Sequence, residues 1–328
     1  MRQDDNTLGL AGRSSSSRLV ELDALKWFAM LWVVLGHLID PGTSGSATFR
    51  GLFLFAYSWH MPVFIFLSGL FDKGDRAPWG RAAFFLIVGF VFKIANLLVA
   101  ILTGSSPSFA LLSDAGAPWF MFALAAWVVL AWATRNVPTV PLLAFFVVLS
   151  LAIGYDKQIG DWLYLSRVIT LFPFYLAGCR LTASDVLDRV RRPQYALLGV
   201  AGLMLLLAVC LVLEQHVYFI RPMFTWRNPY SVLGDMAVFG PLFRLVAYCV
   251  SIGAIAALLS VFSYVRCGWM SRFGARTLGI YFWHVPIIAV LCKTGFYAML
   301  LRGGAFEKLI LLGIGVALTL VLSHPAFS

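Results

Sequence analysis

One apolar run near the amino terminus, LDALKWFAMLWVVLGHL at 22–38, carries three side chains that hydrocarbon disfavours: Asp23, Lys26 and His37. A charged or titratable group at bilayer depth costs about 2.5–3.5 kcal/mol on insertion scales, which makes each a candidate for function. Lys26 and His37 are eleven residues apart. On a helix that is about 16 Å of axis, and eleven steps of 100° return to nearly the same face. One face thus presents a cation near one end and an imidazole toward the other. A second run, AYSWHMPVFIFLSGLF at 56–71, places His60, Pro62, Ser68 and Gly69 within its span. Proline frees a backbone carbonyl near His60 and bends or breaks the helix, which at membrane depth is tolerated against protein or a cavity.

Imidazole suits the removal of a proton from an alcohol near neutral pH, because its reference pKa is about 6.5. Two histidines on adjacent antiparallel helices, with Lys26 and Asp23 near them, fit activation of a hydroxyl in a buried polar pocket. The competing reading makes each histidine a hydrogen bonder in helix packing. Arg167, Lys93, Asn96 and Arg244 are further polar residues within apolar runs, suited either to phosphates and carboxylates or to snorkelling toward an interface. His284, in GIYFWHVPII, precedes Pro286 and reads equally as structural or functional. Trp119 stands at a span end, where tryptophan anchors at the interface. The segment 214–241 is longer than the other connections and rich in aromatics. Its Tyr218, Phe224, Trp226 and Tyr230 suit stacking on sugar rings or packing over helix ends.

Several chemistries are missing. No P-loop, no H-E-x-x-H and no dinucleotide-binding glycine loop with its acidic partner occurs. Ser68 lies in FLSGL, and a nucleophile elbow needs glycine two residues before the serine, where this chain has Phe66. The five cysteines (Cys179, Cys210, Cys249, Cys267, Cys292) are scattered and show neither a disulfide frame nor zinc spacing. No metal site is expected.

The elements that must position these residues follow from composition. Of 328 residues 61% are hydrophobic and 12% charged, where a soluble domain carries about 25% charged residues. Mean hydropathy is +0.86. A helix needs about 20 apolar residues to span the hydrocarbon core. Ten stretches qualify, near 22–40, 50–71, 80–102, 116–134, 138–154, 163–181, 194–213, 242–263, 277–297 and 306–323. Stretches such as Leu203–Leu213 are apolar on every face, which excludes an alternating β-barrel pattern. The expected fold is an all-α integral membrane bundle of about ten transmembrane helices. The net charge of +10 reads as topology rather than nucleic-acid binding. With the amino terminus inside, Arg13, Arg18, Lys73, Arg76, Arg81, Arg135, Arg180, Arg189, Arg191, Arg192, Arg266, Arg272 and Arg276 fall on the cytoplasmic side, and chiefly Arg50, Lys157, Arg221, Arg227 and Arg302 fall outside. Both termini are therefore expected in the cytoplasm and the chain in the plasma membrane. Residues 1–18 read as a disordered cytoplasmic tail, and 19–328 as one transmembrane domain.

At these residues the sequence resembles the acyltransferase-3 family, particularly its fucose and capsule-polysaccharide O-acetyltransferase branch. The likeness starts at LDALK and runs to His37; most relatives carry arginine where this chain has Lys26, which keeps the charge and loses the planar fork. It continues through SWHMPVFIFLSGLF, APWFMFAL, RVITLFPFYLAGCRL and FGARTLGIYFWHVPII. The resemblance implies acetyl-CoA or another acyl-CoA as co-substrate, with no permanently bound cofactor. It also implies a hydroxyl of a sugar or cell-envelope glycan, free or lipid-linked, as acceptor. On that reading His37 is general base or transient acyl carrier, Lys26 holds the donor with Asp23 orienting it, and His60 positions acceptor or thioester. Arg167 contacts donor phosphates or the oxyanion, with Ser68, Trp119, His284 and Trp226 as further binding candidates. The competing class is a secondary transporter or flippase for a sugar or lipid-linked glycan, which ten helices with a midplane histidine would also suit.

Overall fold

Each of the ten apolar stretches holds helix in the computed structural model, which describes residues 19–72, 77–105, 110–113, 116–160 and 162–327. The amino-terminal tail lies outside the described residues, as do Lys73 and Arg76. The helices are α1 (Val20–Ile39), α2 (Ala47–Tyr57), α3 (His60–Leu70), α4 (Trp79–Leu102), α5 (Trp119–Ala133), α6 (Thr139–Ile153), α7 (Leu165–Cys179) and α8 (Ala183–Val190). They continue as α9 (Pro193–Val212), α10 (Glu214–Val217), α11 (Arg221–Phe224), α12 (Gly240–Phe262), α13 (Gly268–Gly274), α14 (Thr277–Leu291), α15 (Gly295–Arg302) and α16 (Ala305–Leu322). No strand occurs among the described residues. Among the described residues seven helical segments are long and apolar enough to cross a membrane, eight if α13 with α14, bent by 71°, is one broken span. The remaining two stretches, α5 and α6, are apolar helices of 15 residues each. The protein is a multi-pass membrane protein.

The spans differ in what surrounds them. In α1, in α2 with α3, and in α7, 72% of the apolar window is buried inside the protein, against 17% in α4, 11% in α9 and 22% in α16. Where such a helix is left uncovered by the protein, its apolar face turns to lipid. The polar candidates from the sequence are concentrated on the central group. α1 is tied at both ends: Trp27 Nε1 donates to Ser323 Oγ at 3.0 Å, and Tyr297 Oη donates to the Leu38 carbonyl at 2.7 Å. α3 and α7 touch backbone to backbone, where a Cβ on Gly69 would overlap the Tyr175 carbonyl and one on Gly178 the Phe66 carbonyl. Small residues of this kind let membrane helices approach closely.

The second span is two helices joined at Ser58–Trp59. Pro62 has no N–H to offer the carbonyl four residues back, that of Ser58. Ser251 of α12 supplies the missing donor, its Oγ lying 2.6 Å from the Ser58 oxygen. The break therefore falls before His60 rather than at the proline, and His60 opens α3.

The segment after α9 folds inward. Arg244 of α12 is fully buried and donates to the Ser150 carbonyl at 2.6 Å and the Asn228 carbonyl at 2.7 Å. Its guanidinium also lies over the Tyr230 ring at 4.7 Å. Tyr230 in turn donates Oη to Leu151 O at 2.9 Å. Arg244, which the sequence leaves open between binding phosphates or carboxylates and snorkelling to an interface, instead lies fully buried on backbone carbonyls, and with Tyr230 it pins this segment to α6.

Candidate active site

Two chambers lie within the central helices. The larger, about 380 Å³, is lined by Lys26, Ser68, Asp72, Arg81, Tyr175 and Tyr281 among others, and will be called the lysine chamber. The other, about 300 Å³, is lined by His37, His60, Trp119, Arg167, Arg221 and Trp226 among others, and will be called the histidine chamber. They lie toward opposite ends of α1. The partition between them includes Tyr281, which lines the lysine chamber and donates its hydroxyl to the carbonyl of Ala117, a residue lining the histidine chamber.

In the histidine chamber the two imidazoles arrive from different helices. His37 comes from the last turn of α1. His60 stands at the start of α3, its Nδ1 2.7 Å from the Ala56 carbonyl. A carbonyl only accepts, so Nδ1 carries the ring hydrogen and Nε2 is left with a lone pair. The Tyr57 ring meets His60 edge-on at 4.7 Å. The break at Ser58–Trp59 brings His60 to the same chamber as His37, although residue counting puts the two at different depths.

Arg167, 5% exposed, stands in the first turn of α7 with its guanidinium 4.7 Å from the Trp119 ring centroid. The entry to that helix passes through two left-handed residues, Leu163 at φ 49° and Tyr164 at φ 57°. Lys93 holds this entry, donating to Tyr164 Oη at 3.0 Å and to the Ala110 and Leu111 carbonyls at 2.6 and 3.0 Å. Trp226 also has a left-handed backbone, φ 60°, a conformation that costs about 1–3 kcal/mol in a non-glycine residue. Its carbonyl accepts from Ser166 Oγ at 3.1 Å and Thr170 Oγ1 at 3.0 Å, which holds the buried indole at the chamber wall.

In the lysine chamber, Lys26 Nζ lies 3.4 Å from Asp23 Oδ1 and 3.8 Å from the Phe71 ring centroid. Ser68 donates to the Phe64 carbonyl of its own helix at 2.8 Å. Asp72 accepts from Tyr175 Oη at 2.6 Å through one oxygen and pairs with Arg81 Nη1 at 2.6 Å through the other. Cationic groups therefore frame one chamber beside a fixed carboxylate, and imidazoles with arginines frame the other.

The structure brings His37, His60, Arg167, Trp119 and Trp226 to one chamber, and Lys26 with Ser68 to the other; Asp23 lies beside Lys26. His284 lines neither; it is fully buried behind His37, ring centroids 5.2 Å apart. Sequence reading did not pick out Asp40, Tyr57 and Asn228, or Arg221 and Arg227 except as topology charges, yet all five line the histidine chamber. Arg221 pairs there with Asp40 at 2.7 Å. Among the described residues no group of three or more His, Cys, Asp or Glu is arranged to hold a metal ion, and all five cysteines are free thiols.

Fold and site together define a multi-pass helical membrane protein with acid–base side chains gathered in one chamber. The acyltransferase-3 family model, described as an acyltransferase domain, matches residues 19–325. The chain belongs to that family and is a membrane acyltransferase. No curated protein and no solved structure matches it.

Proposed function

We infer that the protein transfers an acyl group, acetyl in the simplest case, from acyl-CoA to a hydroxyl of a sugar in a cell-envelope glycan. The observation that carries this reading is the joint presence of His37 and His60 in one chamber, while Lys26, eleven residues along the same helix, serves a second. The donor enters the lysine chamber, on the cytoplasmic side, where Lys26 and Arg81 meet its phosphates and Asp23 and Asp72 orient those cations. The acyl thioester reaches toward the partition at Tyr281 and Ala117. The acceptor occupies the histidine chamber, where Trp119 and Trp226 contribute aromatic wall against a sugar.

In the reaction His37 removes the hydroxyl proton as the oxygen attacks the thioester carbonyl. The C–O bond forms, the C–S bond breaks, and the thiolate takes the proton back from the imidazolium. His60 presents its Nε2 to the acceptor or thioester, and Arg167 neutralises charge growing on the carbonyl oxygen. A sided experiment tests the arrangement. With labelled acetyl-CoA supplied only at the cytoplasmic face of proteoliposomes, and extracted envelope glycans only at the other, label is expected in the glycan. Label appearing only when both substrates share one face would contradict the division between chambers.

A further inference from the structure

His284 lies outside both chambers, and packing accounts for only half of it. Its side chain is fully enclosed, and its Nδ1 lies 3.0 Å from the Ile280 carbonyl one turn back on α14. The carbonyl accepts, so Nδ1 carries the hydrogen and Nε2 keeps a lone pair. No hydrogen-bond donor meets that Nε2. Buried polar atoms nearly always have a partner, and an orphan of this kind calls for an explanation.

Two rings that carry donors stand beside it. Tyr281, at 6.0 Å between centroids, gives its hydroxyl to the Ala117 carbonyl. The other is His37, at 5.2 Å with the ring planes at 50°. Imidazole nitrogens lie about 1 Å from the ring centre, so rotation of the two rings alone can set one nitrogen of each about 3 Å apart, the length of a hydrogen bond. His37 is also the ring of the pair that faces the chamber.

We propose that His284 is the positioning residue of His37, its Nε2 accepting the hydrogen on the nearer nitrogen of the His37 ring. That bond fixes the tautomer, leaving the other His37 nitrogen bare toward the acceptor hydroxyl. When His37 takes up the proton and becomes imidazolium, the same bond becomes charge-assisted and steadies it, with no proton passing to His284. The proposal rests on the reading of His37 as the base.

Two substitutions separate the ends of the ring. In His284→Asn the amide replaces Nδ1 and nothing replaces Nε2; in His284→Gln the longer side chain brings an amide oxygen to the Nε2 position. In protein reconstituted in lipid with acetyl-CoA and an active glycan fraction, kcat of His284→Asn is expected to fall about 10²-fold or more, the range of a lost acid–base contribution. KM for both substrates should stay within about twofold, and His284→Gln should recover activity to within about tenfold of wild type. Full kcat in His284→Asn, or a glutamine variant as poor as the asparagine one, overturns the proposal. If His284→Asn does not fold, nitrogen NMR of the ¹⁵N-histidine-labelled wild type decides: a coupling across a His37–His284 hydrogen bond supports it, and its absence overturns it. His37→Ala run in parallel keeps the two claims apart. Full activity there removes the base reading itself, whereas an inactive His37→Ala beside a fully active His284→Asn removes only the role of His284.

Discussion

Asp72 stands where α3 ends against α4 and α7, with the Tyr175 hydroxyl on one oxygen and the Arg81 guanidinium on the other. A buried carboxylate held in this way aims Arg81 at the lysine chamber. Tyr175→Phe removes one donor and leaves a buried oxygen short of a partner, an effect of about 1–3 kcal/mol, readable as a lower Tm in detergent. Arg81→Ala should instead raise KM for acyl-CoA about tenfold with kcat nearly unchanged, the signature of lost uniform binding, as initial-rate kinetics would show. At this scale the sequence was partly legible. Lys26, His37, His60 and Arg167 stood out because polar groups are costly within apolar runs. Asp40 and Asp72 are hidden in the sequence because they lie at the ends of spans, where a charge is cheap and carries no signal until the fold closes around it; Arg221, inside the 214–241 connection, registers only as a topology charge.

Among the elements, the apolar runs match the long helices to within about three residues, since hydrocarbon leaves the backbone few other ways to satisfy its own hydrogen bonds, except at the end of the ninth, where α14 stops at Leu291, six residues short of the expected 297. They did not show where the second span breaks. Pro62 implies a freed carbonyl, but the donor that satisfies it at the break is Ser251, a partner 193 residues away in sequence. The short helices α8, α13 and α15 were also missed, because none is long enough or apolar enough to register as a span. The close approach of α3 and α7 yields a sharp contrast. Gly178→Ala puts a methyl group into the Phe66 carbonyl, whereas Gly202 on α9 faces open space. Gly178→Ala is expected to lose about 1–3 kcal/mol by overpacking and Gly202→Ala to stay within about 0.5 kcal/mol of wild type, both followed by thermal unfolding in detergent. Because α3 carries His60 and α7 carries Arg167, the first substitution should also lower activity in whatever fraction remains folded.

For the whole molecule, alternate spans put the connection 134–138 at the lysine end and the connection 154–160 at the histidine end. In a chain whose native cysteines are replaced by serine, Asn136→Cys should react with a membrane-impermeant maleimide only from the cytoplasmic face, and Gln158→Cys only from the opposite one. Both positions are exposed, so the reverse pattern would invert the topology read from the arginine distribution. On the proposed function, two chambers on one central helix would let a charged donor and a bulky glycan approach from different faces without either crossing the bilayer. The central claim is that His37 performs the proton transfer where they meet. Its most direct test is thiol release from acetyl-CoA by the purified protein in lipid, with an envelope glycan fraction present, comparing wild type with His37→Ala at equal folded amounts. A fall of about 10²–10⁴-fold that spares KM is the predicted result; glycan-dependent release at the wild-type rate by His37→Ala would contradict it.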